Sequence, residues 1–349
     1  MWITSSLTTA LTPASVALGN FDGIHQGHRQ VMQPILRPSL RRQPLSVPPL
    51  TGESYGENSP PNPEASVKNA QELGLESYPT VVTFNPHPQE FFSRQRRSLL
   101  TPLSEKVKYL EALGVQQLVL LPFDQDLANM TPEAFVEEIL VRQLNAQQIS
   151  VGQDFCFGRQ RSGTVTELKA IAARHGVTVH LVPLQTANGD RISSSAIREA
   201  LLEGNLRQAN SILGRPYSLI GEVVQGKQIG RTIGFPTANL QLPEQKFLPR
   251  HGVYAVRVYG ASSLGEENGL MGALNIGTRP TVDAIATPTV EVHLLDWSGD
   301  LYGKTLTLHL EHFLRPQQKF DSLDQLKAQI QTDCDSARTL LSNPERPAP

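Results

Sequence analysis

The feature that most constrains this chain is a change of texture at Arg215-Pro216. Before it, short apolar runs alternate with amphipathic stretches. After it, apolar runs follow one another with only Gly, Pro, Asn and Asp between them. Alternating strand and helix makes successive strands run parallel, with helices covering both faces of the sheet. Strands that leave no room for crossover helices pair antiparallel, and a small set of them hides its edges by closing into a barrel. The 349 residues therefore read as two domains. An α/β domain with a parallel sheet is expected over 1–214, and a mostly antiparallel β-barrel with a C-terminal helix over 215–342.

In the first half, strands are expected at 16–18, 80–84, 117–121, 149–151 and 177–182. Helices are expected at 28–36, 104–113, onward from Thr131-Pro132-Glu133, at 164–175 and at 193–213. Thr131 suits an N-cap, Pro132 the first helical position and Glu133 the positive end of the helix dipole. A polar segment at about 37–78, broken by Pro48-Pro49, Pro60-Pro61 and Pro63, reads as a surface insertion. In the second half, strand-like runs lie at 217–224, 252–259, 270–276, 290–295 and 306–310, followed by an amphipathic helix at 323–341. Ligands of parallel sheets sit beyond the carboxyl ends of the strands. The unusual residues of the first half fall there: 19–23, 85–88 and 152–154.

Composition excludes several classes. A net charge of −2 provides no basic field for nucleic acid, so none is expected as a partner. Two cysteines, Cys156 and Cys334, are too few for a disulfide framework, and Cys156 reads as packing. No apolar stretch is long enough to span a membrane and no signal peptide is evident. The expectation is a reduced, cytoplasmic protein, a monomer or weak homo-oligomer, working on small molecules.

The strongest local signal is Gly19-Asn20-Phe21-Asp22-Gly23-Ile24-His25-Gln26-Gly27-His28. It leads from a strand through a Gly-rich turn into a helix. Glycines let the backbone approach phosphate closely, and His25 and His28 share a helical face from which imidazole N–H groups reach phosphoryl oxygens. Spacing alone leaves open a plain turn with two ordinary histidines, or a pair of metal ligands. The segment resembles the His-x-Gly-His signature of nucleotidyltransferases and, more narrowly, the opening of bacterial bifunctional riboflavin kinase/FAD synthetases. Phe84-Asn85-Pro86-His87-Pro88, Gly152-Gln153-Asp154-Phe155-Cys156-Phe157-Gly158 and Ile192-Ser193-Ser194-Ser195-Ala196-Ile197-Arg198 resemble further elements of that family in order, with Ser195 where the family has Thr. The resemblance implies a Rossmann-like nucleotidyltransferase domain that moves AMP from ATP to FMN, giving FAD and pyrophosphate. It assigns His25, His28, Ser194, Ser195 and Arg198 to the ATP phosphates, Ser193 to ATP binding, and Gly19, Asn20, Phe21 and Asp154 to the nucleotide pocket. Phe155 and Phe157 read equally as pocket or as core.

The second concentration runs from Gly226 through Lys227, Gly230, Arg231, Gly234, Phe235, Pro236 and Thr237 to Asn239. Its glycines let backbone curl round a polyphosphate, but it is not a G-x-x-x-x-G-K-[ST] loop. Thr237 and Asn239 are two apart, so they face one way in extended chain, and their oxygens suit Mg²⁺. A long hairpin loop with a capping Thr and a turn Asn is the alternative. The run resembles the signature of the flavokinase module, as do Asn275-Ile276-Gly277, Glu291-Val292-His293 and Phe313-Leu314-Arg315. The resemblance implies a six-stranded barrel that phosphorylates riboflavin with Mg-ATP, with Glu291 as general base and Asn275 and Arg315 at the flavin. Gln318 falls in a stretch where the family usually has an acid, which puts in doubt an ion pair expected there.

Overall fold

The computed structural model describes residues 1–36, 77–187, 190–226, 229–261, 268–279 and 287–342. The expected insertion thus lies almost wholly outside the described residues, as does Lys227. The described residues fall into two compact units that divide before Ser193.

The first unit holds a six-stranded sheet in the order β1-β4-β3-β2-β5-β6. The strands are β1 (Trp2–Thr4), β2 (Ala14–Leu18), β3 (Tyr78–Asn85), β4 (Gln117–Pro122), β5 (Ala146–Gly152) and β6 (Thr178–Val182). Every pairing is parallel. Five match the expected strands. β1 is too short to carry a period and was invisible in the sequence. Leu18, Val82, Val119, Ile149 and Val151 are buried, the near-continuous apolar runs that a doubly covered sheet demands. The helices are α1 (Gln26–Met32), α2 (Pro88–Ser93), α3 (Leu103–Ala112), α4 (Gln125–Asn129), α5 (Pro132–Ala134, continuing as a π-helix, Phe135–Gln143) and α6 (Val165–Arg174). The Thr131 hydroxyl accepts from the Ala134 N–H at 3.1 Å, as its N-cap position requires. Thr164 and Glu167 form a reciprocal capping box on α6. A small hairpin, β7 (Thr186–Ala187) with β8 (Asp190–Arg191), ends the unit.

The second unit opens with α7 (Ser194–Glu203) and α8 (Leu206–Leu213). The single expected helix is broken at Gly204, which takes a left-handed φ of 80° that a side chain resists. These helices pack with the barrel: Asn210 Nδ2 donates to Leu310 O and Asn210 Oδ1 accepts from Tyr217 N.

The barrel consists of β9 (Tyr217–Val224), β10 (Ala238–Gln241), β11 (Gly252–Tyr259), β12 (Leu270–Arg279), β13 (Thr287–Leu294) and β14 (Thr305–Pro316), closed in the order β10-β13-β12-β11-β14-β9. All its pairings are antiparallel. Leu219, Tyr254, Leu274, Ile276, Val292 and Leu308 are buried in its core. A short helix α9 (Ile229–Thr232) lies in the Gly-rich segment, and α10 (Leu323–Ser342) packs on the outside of β11, β12 and β14. Arg315 fastens α10 to the barrel: its Nε and Nη2 reach Asp333 Oδ1 and Oδ2 at 2.9 and 2.8 Å. The carboxylate that answers Arg315 thus comes from the helix. Cys334 is buried beside it in an apolar cluster with Ala255 and Leu295. Asp333→Ala would leave a largely buried guanidinium without its carboxylate, and should lower unfolding stability by about 3 kcal/mol in denaturant titration.

Candidate functional site

In the first unit the Gly-rich turn leaves the carboxyl end of β2. It needs left-handed backbone at Phe21 (φ 48°), Gly23 (φ 91°) and Ile24 (φ 42°), uncommon for Phe and an outlier for a β-branched residue. Buried polar contacts hold it. Asp22 Oδ1 accepts from Thr101 N at 3.1 Å, and Thr101 Oγ1 accepts from Gly23 N at 2.9 Å. The Asn20 carbonyl accepts from Lys106 Nζ at 2.9 Å and from Thr83 Oγ1 at 3.1 Å. Burial pushes the Lys106 ammonium pKa down, opposed by the charge of Asp22.

The turn delivers the two histidines together. His25 caps α1, its Nδ1 accepting from His28 N at 3.2 Å, and the rings stack with centroids 3.6 Å apart. Phe21 meets His28 edge-on at 5.3 Å. Gly19 has no room for a larger side chain without pressing on the Phe21 ring. Asp154, after β5, is ion-paired with Arg191 of β8, and both are half exposed. Phe157 is core, stacked on Phe155 and tilted against Phe135. Cys156, between Phe155 and Phe157, is half-buried. His87 caps α2 and forms a capping box with Glu90. Burial, aided by Arg97, lowers its pKa to about 4.

Sequence reasoning passed over an aromatic cluster at the carboxyl ends of β3 and β4. Phe84, Phe91 and Phe92 all meet Phe123 edge-on at 5.4–5.8 Å, and Phe92 is 70% exposed. The signal available was Phe91-Phe92 directly after Pro86-His87-Pro88.

In the second unit, Ser193 is the N-cap of α7, its Oγ accepting from Ala196 N at 3.2 Å. Ser194 and Ser195 occupy the first turn. Arg198 follows one turn later, its Nη1 donating to Ser194 O and its guanidinium lying 5.5 Å from the Phe247 ring centroid.

The barrel wall aligns three of the expected residues. Register puts Asn239 of β10 opposite Glu291 of β13, and Glu291 opposite Asn275 of β12. Val290 and Val292 point into the core, so this polar row lies on the outer face of the wall. The described parts of the Gly-rich segment meet the wall beside this row. A side chain at Gly226 would overlap the Asn239 carboxamide, and one at Gly230 would strike the Phe235 carbonyl and approach Thr237 Oγ1. Gly234 takes a left-handed φ of 91°. Phe235 packs against the cluster of Ala255, Leu295 and Cys334. His293 Nδ1 lies 2.7 Å from the Pro236 carbonyl, an acceptor only, so Nδ1 carries the proton. Arg315 is committed to Asp333 and to Pro316 O. Lys227 and the side chain of Arg231 lie outside the described residues. No group of three or more His, Cys, Asp or Glu among the described residues could hold a metal. The hard oxygens of Thr237 and Asn239 suit a cation whose other ligands are phosphate and water.

Two family models match the chain: riboflavin kinase over 213–341, and FAD synthetase over 7–47 and 64–196. The chain is 38% identical to the bifunctional riboflavin kinase/FMN adenylyltransferase of Escherichia coli K12, over 93% of this chain and 91% of that protein. It belongs to the bifunctional riboflavin kinase/FMN adenylyltransferase family. The proteins of that name in Haemophilus influenzae and Bacillus subtilis are 35% and 32% identical, over 95% and 94% of this chain and 96% and 92% of theirs. A crystal structure described as a macrolide-efflux protein from Streptococcus pneumoniae shares the fold, with a TM-score of 0.76 and 28% identity over 97% of this chain and 98% of that one. Among the described residues, no helix of this chain is long and apolar enough to cross a membrane.

Two outcomes follow for this family member. Gly226→Ala displaces the Asn239 carboxamide, so riboflavin phosphorylation should fall at least about tenfold while adenylylation of supplied FMN persists; separate assays of the two steps check this. The second concerns pH. Burial, with Arg215 adding, also holds His309 down to about 4, as it does His87. Above the ordinary histidine value of 6.5, both rings are neutral folded and unfolded and add no pH dependence. As pH falls from 6.5 to about 4, the unfolded chain binds protons that the folded chain refuses. Denaturant midpoints should therefore drop through that window, and less steeply in His309→Gln.

Proposed function

We propose that the barrel phosphorylates the ribityl hydroxyl of riboflavin and that the sheet domain joins the resulting FMN to AMP. The observation that carries the first half is the register of β10, β13 and β12, which sets Glu291 between Asn239 and Asn275 on one face of the wall. In the kinase step, Glu291 accepts the hydroxyl proton as that oxygen attacks the γ-phosphorus of ATP, and the bond to the ADP oxygen breaks. Gly226, Gly230, Gly234 and Pro236 line the phosphates, with Lys227 and Arg231 supplying charge, and Asn275 orients the flavin. Thr237 and Asn239 would hold Mg²⁺, which neutralises charge on the phosphates. Arg315 is assigned to the flavin by motif; its tie to Asp333 supports an indirect role, fixing the strand end.

In the adenylyl step, a phosphate oxygen of FMN attacks the α-phosphorus of ATP and pyrophosphate leaves. By motif, His25 and His28 of the first unit and Ser194, Ser195 and Arg198 of the second are assigned as donors to the phosphate oxygens, onto which charge moves. Ser193 caps the helix that carries three of these. Gly19, Asn20, Phe21 and Asp154 shape the nucleotide pocket, and the Phe92 cluster offers a face for the isoalloxazine ring. By function, 1–214 is the adenylyltransferase domain and 215–342 the kinase, although α7 packs with the barrel. The enzyme is assigned to the cytoplasm, as a monomer or weak homo-oligomer with no nucleic-acid or membrane partner.

Flavins separated after incubation with riboflavin, ATP and Mg²⁺ test both halves. Wild type should accumulate FMN and then FAD. His28→Ala should stop at FMN, and Glu291→Ala should make neither from riboflavin while still converting supplied FMN. FMN as the final product of wild type would overturn the adenylyl half.

A further inference from the structure

Lys106 is a buried charged group beside the Gly-rich turn that the chemistry above leaves unused. It is 8% exposed, and its ammonium donates to the Asn20 carbonyl, which also receives the Thr83 hydroxyl. A buried lysine is costly, and its lowered pKa records that cost. Two donors converging on one carbonyl fix the plane of the peptide that joins Asn20 to Phe21. That peptide is trans, so its N–H points opposite to its carbonyl. The Phe21 N–H is thereby turned away from Lys106, and among the described residues no acceptor meets it. A buried backbone N–H without an acceptor is rare. Here it belongs to a residue with φ 48° at the carboxyl end of a parallel strand, where phosphate ligands bind.

We propose that Lys106 is a positioning residue for adenylyl transfer, holding the Asn20–Phe21 peptide so that the Phe21 N–H is presented to a phosphate oxygen of the nucleotide. This rests on the assignment of the turn to ATP. Without the ammonium, the carbonyl is free to swing outward, replacing a donor with a repelling acceptor where the anion sits. The group acts through the backbone and touches no substrate itself.

The test uses the full chain, with riboflavin phosphorylation as an internal control in the other unit. Lys106→Met keeps the length of the side chain and removes its donors. It should cut kcat/KM for ATP in FMN adenylylation by about 100-fold, the loss typical of one oriented donor, and leave the KM for FMN unchanged. Thr83→Val, which removes the second donor to the same carbonyl, should produce a smaller loss with the same split between ATP and FMN. Should Lys106→Met fail to fold, as read by its melting curve, Thr83→Val decides alone. Adenylylation within about threefold of wild type in the deciding variant would overturn the proposal, as would an equal loss for both substrates. His28→Ala run beside it separates the two claims. Its inactivity with an active Lys106→Met sinks only the role of Lys106, whereas an active His28→Ala sinks the assignment of the turn.

Discussion

Closure of the barrel depends on β10, a strand from Ala238 to Gln241 that pairs with β9 on one side and β13 on the other. Without it, both neighbours would be open edges. Because side chains alternate with a period of two, the pairing that closes the ring also decides which residues share a face. Asn239 falls opposite Glu291 in that register, while Leu240, next along, is turned into the core. A slip of one residue would bury the carboxamide and expose the leucine. Hydrophobic packing therefore enforces the alignment of the polar row, whose geometry follows from barrel closure.

The sheet unit solves the positioning problem by other means. Its turn runs through backbone conformations that Phe21 and Ile24 do not favour, and it is held by side chains from two other elements. Thr101 and Lys106 come from the start of α3 and the residues before it, and Thr83 from β3. Local preference and tertiary contact disagree here, and the contacts prevail. Such conflicts concentrate where a fold serves a ligand rather than its own stability.

Most of the architecture was legible because it rests on periodicity. Gly252–Tyr259 and Tyr217–Val224 matched residue for residue, since each is an apolar run bounded by a turn or a proline. β1 and β10 were missed because three or four residues cannot display a period, and only their partners define them. The split of α7 from α8 was written in Gly204, but an isolated glycine in a helical pattern is weak punctuation. Within the sites, motif residues were readable one by one. Their partners were not: that Lys106 answers Asn20, or Asp333 answers Arg315, is a fact of packing between distant segments. The aromatic cluster about Phe123 was hidden for the same reason, as it gathers from β3, α2 and the residue after β4.

The tie between Arg315 and Asp333 also governs how this chain can be recombined. A chimera with a boundary between residues 318 and 333 would draw the arginine and the glutamine from one parent and the helix from the other. With a parent that keeps its acid near position 318 and none on the helix, one hybrid inherits two carboxylates competing for a single guanidinium. Its reciprocal inherits an arginine with no counterion. Domain boundaries drawn from fold alone would allow such a cut, yet segments 315 and 333 have to be exchanged together. The barrel and its last helix are thus one unit of inheritance, although one is all strand and the other all helix.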